Sequence, residues 1–174
     1  MRHAISVLLQ NEVGALTRMT GMFSSRGYNI DTLNVAPTDD PTVSRVTLVI
    51  RGSDAAIAQL NSQLAKLVDV VNIHDMTLGD HFERELVIVK LKLPTGGLAR
   101  AMTLARKYGA EILDDAQSSC TLQLTGSVSE IDAFVADASD IGKLSAVARS
   151  GSVAVSKGEV TLSTYDAHHH LSAQ

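Results

Sequence analysis

The chain has 174 residues, 45% hydrophobic but only 3% aromatic, with a formal net charge of -4 and one cysteine. That length suits one ordinary domain or two small ones with aliphatic cores, and two small cores are marginal enough alone to favour oligomerisation. The scattered Lys and Arg residues make no basic stripe and interleave with no stacking aromatics, which argues against nucleic-acid binding; the lone Cys120 excludes an intrachain disulfide and a cysteine-rich metal site.

A single cysteine also fits a reducing compartment. No stretch approaches the length of a membrane-spanning helix. After Arg2, the apolar run Ala4 to Leu9 is short and broken by Ser6, unlike a signal peptide. The expected location is the cytoplasm.

Ala4 to Leu9 reads as a strand. A helix follows over Ala15 to Arg26, because Leu16, Met19 and Phe23 share one face. Gly27 stands where a left-handed cap would end it. Ile30 to Ala36 is a second strand, stopped by Pro37, and Thr38 to Thr42 is a turn. Arg45 to Arg51 alternates, with Val46, Leu48 and Ile50 on one face and Arg45, Thr47, Val49 and Arg51 on the other. Ser53 caps a helix marked by Ile57, Leu60 and Leu64. Val68 to Leu78 is the fourth strand, and the order is βαββαβ.

The order then returns. Glu85 to Leu93 is a strand, Leu98 to Tyr108 a helix ended by Gly109, and Glu111 to Asp114 a short strand. Cys120 to Thr125 is a strand, Ser129 to Ala138 a helix, and Leu144 to Arg149 a closing strand. A shift of 74 lays Val46 on Cys120, Leu48 on Leu122, Ile50 on Leu124 and Gly52 on Gly126. Earlier in each half the shift is 82, laying Gly27 on Gly109 and Ile30 on Ile112. The loop around Pro37 to Pro41 is therefore longer in the first half. The fold class is α+β: two tandem ferredoxin-like βαββαβ units, each an antiparallel sheet with helices on one face. The first spans residues 1–78 and the second 84–160. Val153 to Thr161 offers a further strand, and 166–174 is expected to be a disordered tail.

Such a fold binds many things, so function must come from sites. Gly14 opens the first helix after Gln10-Asn11-Glu12-Val13. One reading is a helix start that needs a flexible residue. The other is capture of an anion by free N–H groups backed by the helix dipole. A phosphate loop would carry more glycines and a Lys; here the one charged residue is Glu12, which suits a single carboxylate better. Asn11 could bond a ligand's amino or carboxylate group. Asn29 is either a turn amide or part of a pocket at a symmetric interface. The strand Ile30 to Ala36 carries only Asp31 as a charge, and an edge so apolar is hazardous unless paired. Pairing with its twin would bring Asn29 near the other subunit's first turn.

Other candidates point to structure. Asp39, Asp40, Asp114 and Asp115 read as solvated turns. Cys120 shares its face with Leu122 and Leu124 and reads as core. His3, His74 and His81 lack ligand spacing, and His168 to His170 reads as a polar tail. No catalytic set and no metal site can be assembled. The residues describe a sensor of a small zwitterion.

They also resemble a known family. "SVLLQNEVGALTRMTGMFSSRGYNIDTLNVAPTDDPTVSR" (Ser6 to Arg45) is similar to the N-terminal ACT domain of the regulatory, or small, subunit of acetohydroxyacid synthase (acetolactate synthase). "LVDVVNIHDM", "ERELVIVKLKL" and "VARSGSVAVSKGE" extend the resemblance to about Glu159, and "LPTGGLARAMTLARKYGAEILD" is less typical. The resemblance implies a non-catalytic chain that carries no cofactor. It would activate a large catalytic subunit that uses thiamine diphosphate, Mg and FAD in branched-chain amino acid biosynthesis. It would confer feedback inhibition by L-valine, with leucine or isoleucine as further ligands. The family's effector positions fall on Asn11, Gly14, Ala15 and Leu16, and on Asn29 and Ile30 from the facing subunit of a homodimer formed through ACT domains. The alternative is a freestanding ACT-domain sensor acting on a different enzyme.

Overall fold

The computed structural model describes residues 1–163. By its contacts the chain forms two compact units, residues 1–82 together with the segment from Ser152, and residues 83–151. The first holds β1 (Arg2–Gln10), α1 (Ala15–Ser25), β2 (Ile30–Pro37), β3 (Val43–Arg51), α2 (Asp54–Leu64) and β4 (Val70–Asp75), with β9 (Val153–Ser156) from the returning segment. Its sheet is antiparallel in the order β2-β3-β1-β4. The second unit is built on β5 (His81–Lys92), α3 (Gly97–Tyr108), β6 (Glu111–Ala116), β7 (Ser119–Gly126), α4 (Val128–Ser139) and β8 (Lys143–Arg149), in the matching order β6-β7-β5-β8.

Period-two strands and helices with one apolar face explain both cores. Ile5, Val7 and Leu9 of β1 and Val46, Leu48 and Ile50 of β3 pack against Ala15, Met19 and Phe23 of α1 and Ile57, Leu60 and Leu64 of α2. Val87, Val89 and Leu91 meet Cys120 and Leu122, under Leu104 of α3 and Ile131 and Phe134 of α4. Each large aliphatic so buried contributes about 1.5–3 kcal/mol. Gly27 and Gly109, which follow α1 and α3, have the left-handed φ the sequence predicts. Ser53 and Ser127 cap α2 and α4 with their side chains.

Three features differ from the sequence reading. Both faces of β3 are covered, which alternation does not predict: Thr47 and Val49, on the face of Arg45 and Arg51, are each 2% exposed. The segment from Ser152 lies on that face, with Ala154 against Ala4, Val49 and Met76, and Leu162 against Leu8 and Val43. Arg45 Nη2 donates to the Leu162 carbonyl, and Asn72 Nδ2 donates to that of Ser163. Alternation predicts which side chains share a face but not what covers it. The compact second unit thus ends at Gly151, although the sequence repeat with its added strand runs to 160. The fourth strand also stops at Asp75, whose carboxylate accepts from the Thr77 amide and turns residues 76–78 into a short 3-10 helix. The expected tail, with His168 to His170, lies outside the described residues.

Candidate effector site

The turn from β1 into α1 is held by Asn11. The Asn11 amide donates to the Thr42 carbonyl at 2.7 Å, and its Nδ2 donates to that of Pro41 at 3.0 Å. Asn11 thus fastens the turn to the loop before β3, and its Oδ1 has no partner among the described residues. Gly14 follows with φ +87°, a left-handed conformation that side chains oppose, and no side chain caps the helix.

The helix-start amides are not equivalent. Ala15 N–H donates to the Glu12 carbonyl at 3.2 Å, and the Ala15 side chain is buried in the core. Those of Gly14 and Leu16 have no acceptor among the described residues, so they are the stronger anion donors of the three. Val13 is fully exposed and Leu16 is 36% exposed, so two apolar side chains flank a polar turn.

Asn29 and Ile30 lie at the other end of α1, where β2 begins. A helix of 11 residues is about 16 Å long. The fold therefore brings Asn11, Gly14, Ala15 and Leu16 together within one chain, and places Asn29 and Ile30 apart from them. β2 is an outer strand of its sheet, with Leu33 and Val35 37% and 40% exposed. Its one charge, Asp31, accepts from Arg51 Nε at 2.8 Å.

One contributor escapes the sequence reading. Arg18, one turn into α1, donates Nε and Nη2 to both oxygens of Asp69 at 2.6 and 2.7 Å. The Asp69 side chain is only 5% exposed, and its backbone carbonyl accepts from the Gln10 amide. The pairing lowers the Asp69 carboxyl below its ordinary range and raises the Arg18 guanidinium. Arg18 Nη1 would lie 2.7 Å from a methyl group placed on Gly14. The spacing of four from Gly14 puts Arg18 on the right helical face; a partner 51 residues away leaves no local signal.

A cavity of about 1190 Å³ in the same unit is lined by Asn11, Glu12 and Asp40 but by none of Gly14, Ala15, Leu16, Asn29 and Ile30, and runs along α2 and β4. It is too large for one small amino acid and does not define the site. Asp40 accepts from the Thr42 amide and hydroxyl, which lowers its pKa and closes a turn. Asp114 and Asp115 lie exposed on β6. Cys120 is fully buried, and burial first, then the nearby Asp115 and Asp114, push its thiol up. Among the described residues, no cluster of His, Cys, Asp and Glu suits a metal, and no helix is long and apolar enough to cross a membrane.

Residues 5–72 match the AHAS small subunit-like ACT domain, and residues 84–158 match the small subunit of acetolactate synthase. The chain is 44% identical to the acetolactate synthase isozyme 3 small subunit of Escherichia coli K12, over 91% of this chain and 98% of that one. It is 42% identical to the acetolactate synthase small subunit of Haemophilus influenzae, with the same coverage. The crystal structure of the acetolactate synthase small subunit from Thermotoga maritima superposes with a TM-score of 0.83 at 26% identity, covering 92% of this chain and 99% of that one.

Proposed function

Because this chain belongs to the acetolactate synthase small-subunit family, we propose that it activates a catalytic large subunit and makes it sensitive to L-valine. It works without catalysis of its own in branched-chain amino acid synthesis, in the cytoplasm. Thiamine diphosphate, Mg and FAD belong to the catalytic partner. The observation that carries the effector reading is the uncapped start of α1: free amides at Gly14 and Leu16, beside an Asn11 with an open Oδ1 and the exposed apolar Val13 and Leu16.

The site is completed by a second copy. The exposed Leu33 and Val35 on the outer strand β2 favour pairing of two ACT domains. That pairing sets Asn29 and Ile30 of one subunit beside the α1 turn of the other. The amides take the ligand's carboxylate, the two asparagines read its polar groups, and Val13, Leu16, Ile30 and Val35 hold the isopropyl group. Ligands one methylene apart differ by only about 1–3 kcal/mol in such a pocket, so leucine or isoleucine also bind. Inhibition requires valine to prefer one state of the holoenzyme, with a coupling of about 1–3 kcal/mol. A pocket between two subunits supplies this, because filling it orders the pair and alters the surface offered to the catalytic subunit.

The test is calorimetric titration of the purified chain with L-valine, followed by valine inhibition of acetolactate formation by the assembled holoenzyme. Two equivalent interface pockets predict roughly one valine per chain. Activation without valine binding or inhibition would refute the effector reading.

A further inference from the structure

The α1 turn contains a cation whose placement simple anchoring of the helix does not explain. Asp69 takes two of the three guanidinium nitrogens of Arg18, and the third, Nη1, lies against the face of Gly14 that bears no side chain. Nη1 has no acceptor among the described residues, and about half of the side chain is exposed.

The second unit provides an internal control. The shift of 82 lays Gly14 on Gly96 and Arg18 on Arg100. Gly96 has the same left-handed φ, +77°, and likewise no side-chain cap. Yet Arg100 donates to the Asp140 backbone carbonyl, and nothing stands within 4 Å of the missing Gly96 side chain. Two arginines at one helical position are therefore held differently, and only the one with a buried carboxylate partner is brought over its glycine.

We propose that Arg18 determines specificity at the effector site: held over Gly14 by Asp69, its Nη1 donates to a carboxylate oxygen of the amino-acid effector, so the turn selects a free α-carboxylate. This rests on the reading of the α1 turn as the effector's carboxylate site. The buried Asp69 fixes the guanidinium and leaves one N–H edge for the ligand. Backbone amides alone would donate to an amide carbonyl almost as readily, whereas a cation discriminates by charge. Glu12, exposed on the same turn, discourages polyanions while a single carboxylate is met by the guanidinium.

The experiment compares L-valine with L-valinamide, which keeps the ammonium and isopropyl groups and loses the anion. Both are titrated calorimetrically into the full-length chain, as wild type, as Arg18→Met and as Arg18→Met with Asp69→Asn. The double variant removes the unpaired buried carboxylate that the single change creates, so a folding defect in Arg18→Met leaves the comparison intact. Circular dichroism and dimer mass check the fold. Wild type should favour valine about ten- to hundredfold, the value of one charge-assisted hydrogen bond. Both variants should bring the two ligands to within about threefold by weakening valine alone.

A folded variant that keeps the wild-type preference would overturn the proposal. So would an equal loss of both ligands, which marks a purely structural arginine. Equal binding of both ligands by wild type overturns the role of Arg18 but leaves the effector reading standing. No valine binding by wild type removes the reading itself, and the proposal with it.

Discussion

The two βαββαβ units share a strand order and a left-handed glycine at the first helix start, but they differ in what surrounds that glycine. In the first unit the turn carries the exposed Asn11, and Arg18 leans over Gly14. In the second, the aligned positions are the buried Leu93 and the open Gly96. Asn29 aligns with Glu111, whose carboxylate accepts from Gln123 Nε2 at 2.7 Å. An anionic ligand would meet a carboxylate there. The common backbone is thus permissive only, and the polar side chains make one copy a candidate receptor.

Breaking this contrast gives the largest expected effect. Gly14→Asp should weaken valine binding by at least about a hundredfold, because a carboxylate there confronts the ligand's own and competes for Arg18. Gly96→Asp carries the same left-handed strain but should leave valine affinity unchanged. Calorimetry on both variants checks this, and full valine inhibition of a Gly14→Asp holoenzyme would sink the site.

A second difference lies on the outer sheet faces. In the first unit the segment from Ser152 covers that face, and Leu162 is 7% exposed. In the second unit, Lys90 and Lys92 on the outer face of β5 are exposed. Leu162→Ala should cost about 2 kcal/mol in urea unfolding, whereas Lys90→Ala should stay within about 0.5 kcal/mol. Equal small effects would mean the covering segment contributes little.

The partner end of the proposed effector site gives a finer test. Asn29→Ala should weaken valine binding about tenfold, the loss of one ordinary hydrogen bond, with activation of the catalytic subunit kept. The aligned Glu111→Ala should change neither. Lost activation with unchanged valine affinity would place Asn29 at the catalytic interface instead.

Much of this architecture was legible because its causes are local. Alternation in Val46, Leu48 and Ile50, the apolar face of α1, and the duplicated spacing gave the tandem units and their inner faces. Asn11 to Leu16 is contiguous, so its grouping at one turn follows from the chain. What was not legible depends on residues distant in sequence. The burial of Thr47 and Val49 could not be read, because nothing near them announces that Ala154 and Leu162 will return. Asp69 gave no hint that it would hold Arg18, and Ala15 could not be known to donate its amide to Glu12. The separation of Asn29 from Gly14, by contrast, follows from counting helical rise, and it is why the proposed site calls on a second copy.

The smallest expected effects distinguish the helix caps. Ser53 caps α2 with one bond, accepting from the Ala56 amide at 3.3 Å. Ser127 belongs to a capping box: the Glu130 carboxylate accepts from the Ser127 amide at 2.8 Å, and Ser127 Oγ accepts from the Glu130 amide. Ser53→Ala should cost about 1 kcal/mol. Ser127→Ala should cost more, because it loosens two reciprocal bonds. Hydrogen bonds from Ser127, side chain first, lower the Glu130 pKa in the folded state. A carboxyl depressed by folding stabilises above its unfolded pKa, and that contribution is lost as pH falls through the folded value. Glu130→Gln should therefore be less stable than wild type at neutral pH and converge with it as acidification passes the folded pKa, which lies below the ordinary glutamate range. A stability gap that persists in acid would show that the glutamate acts through packing and not through its charge.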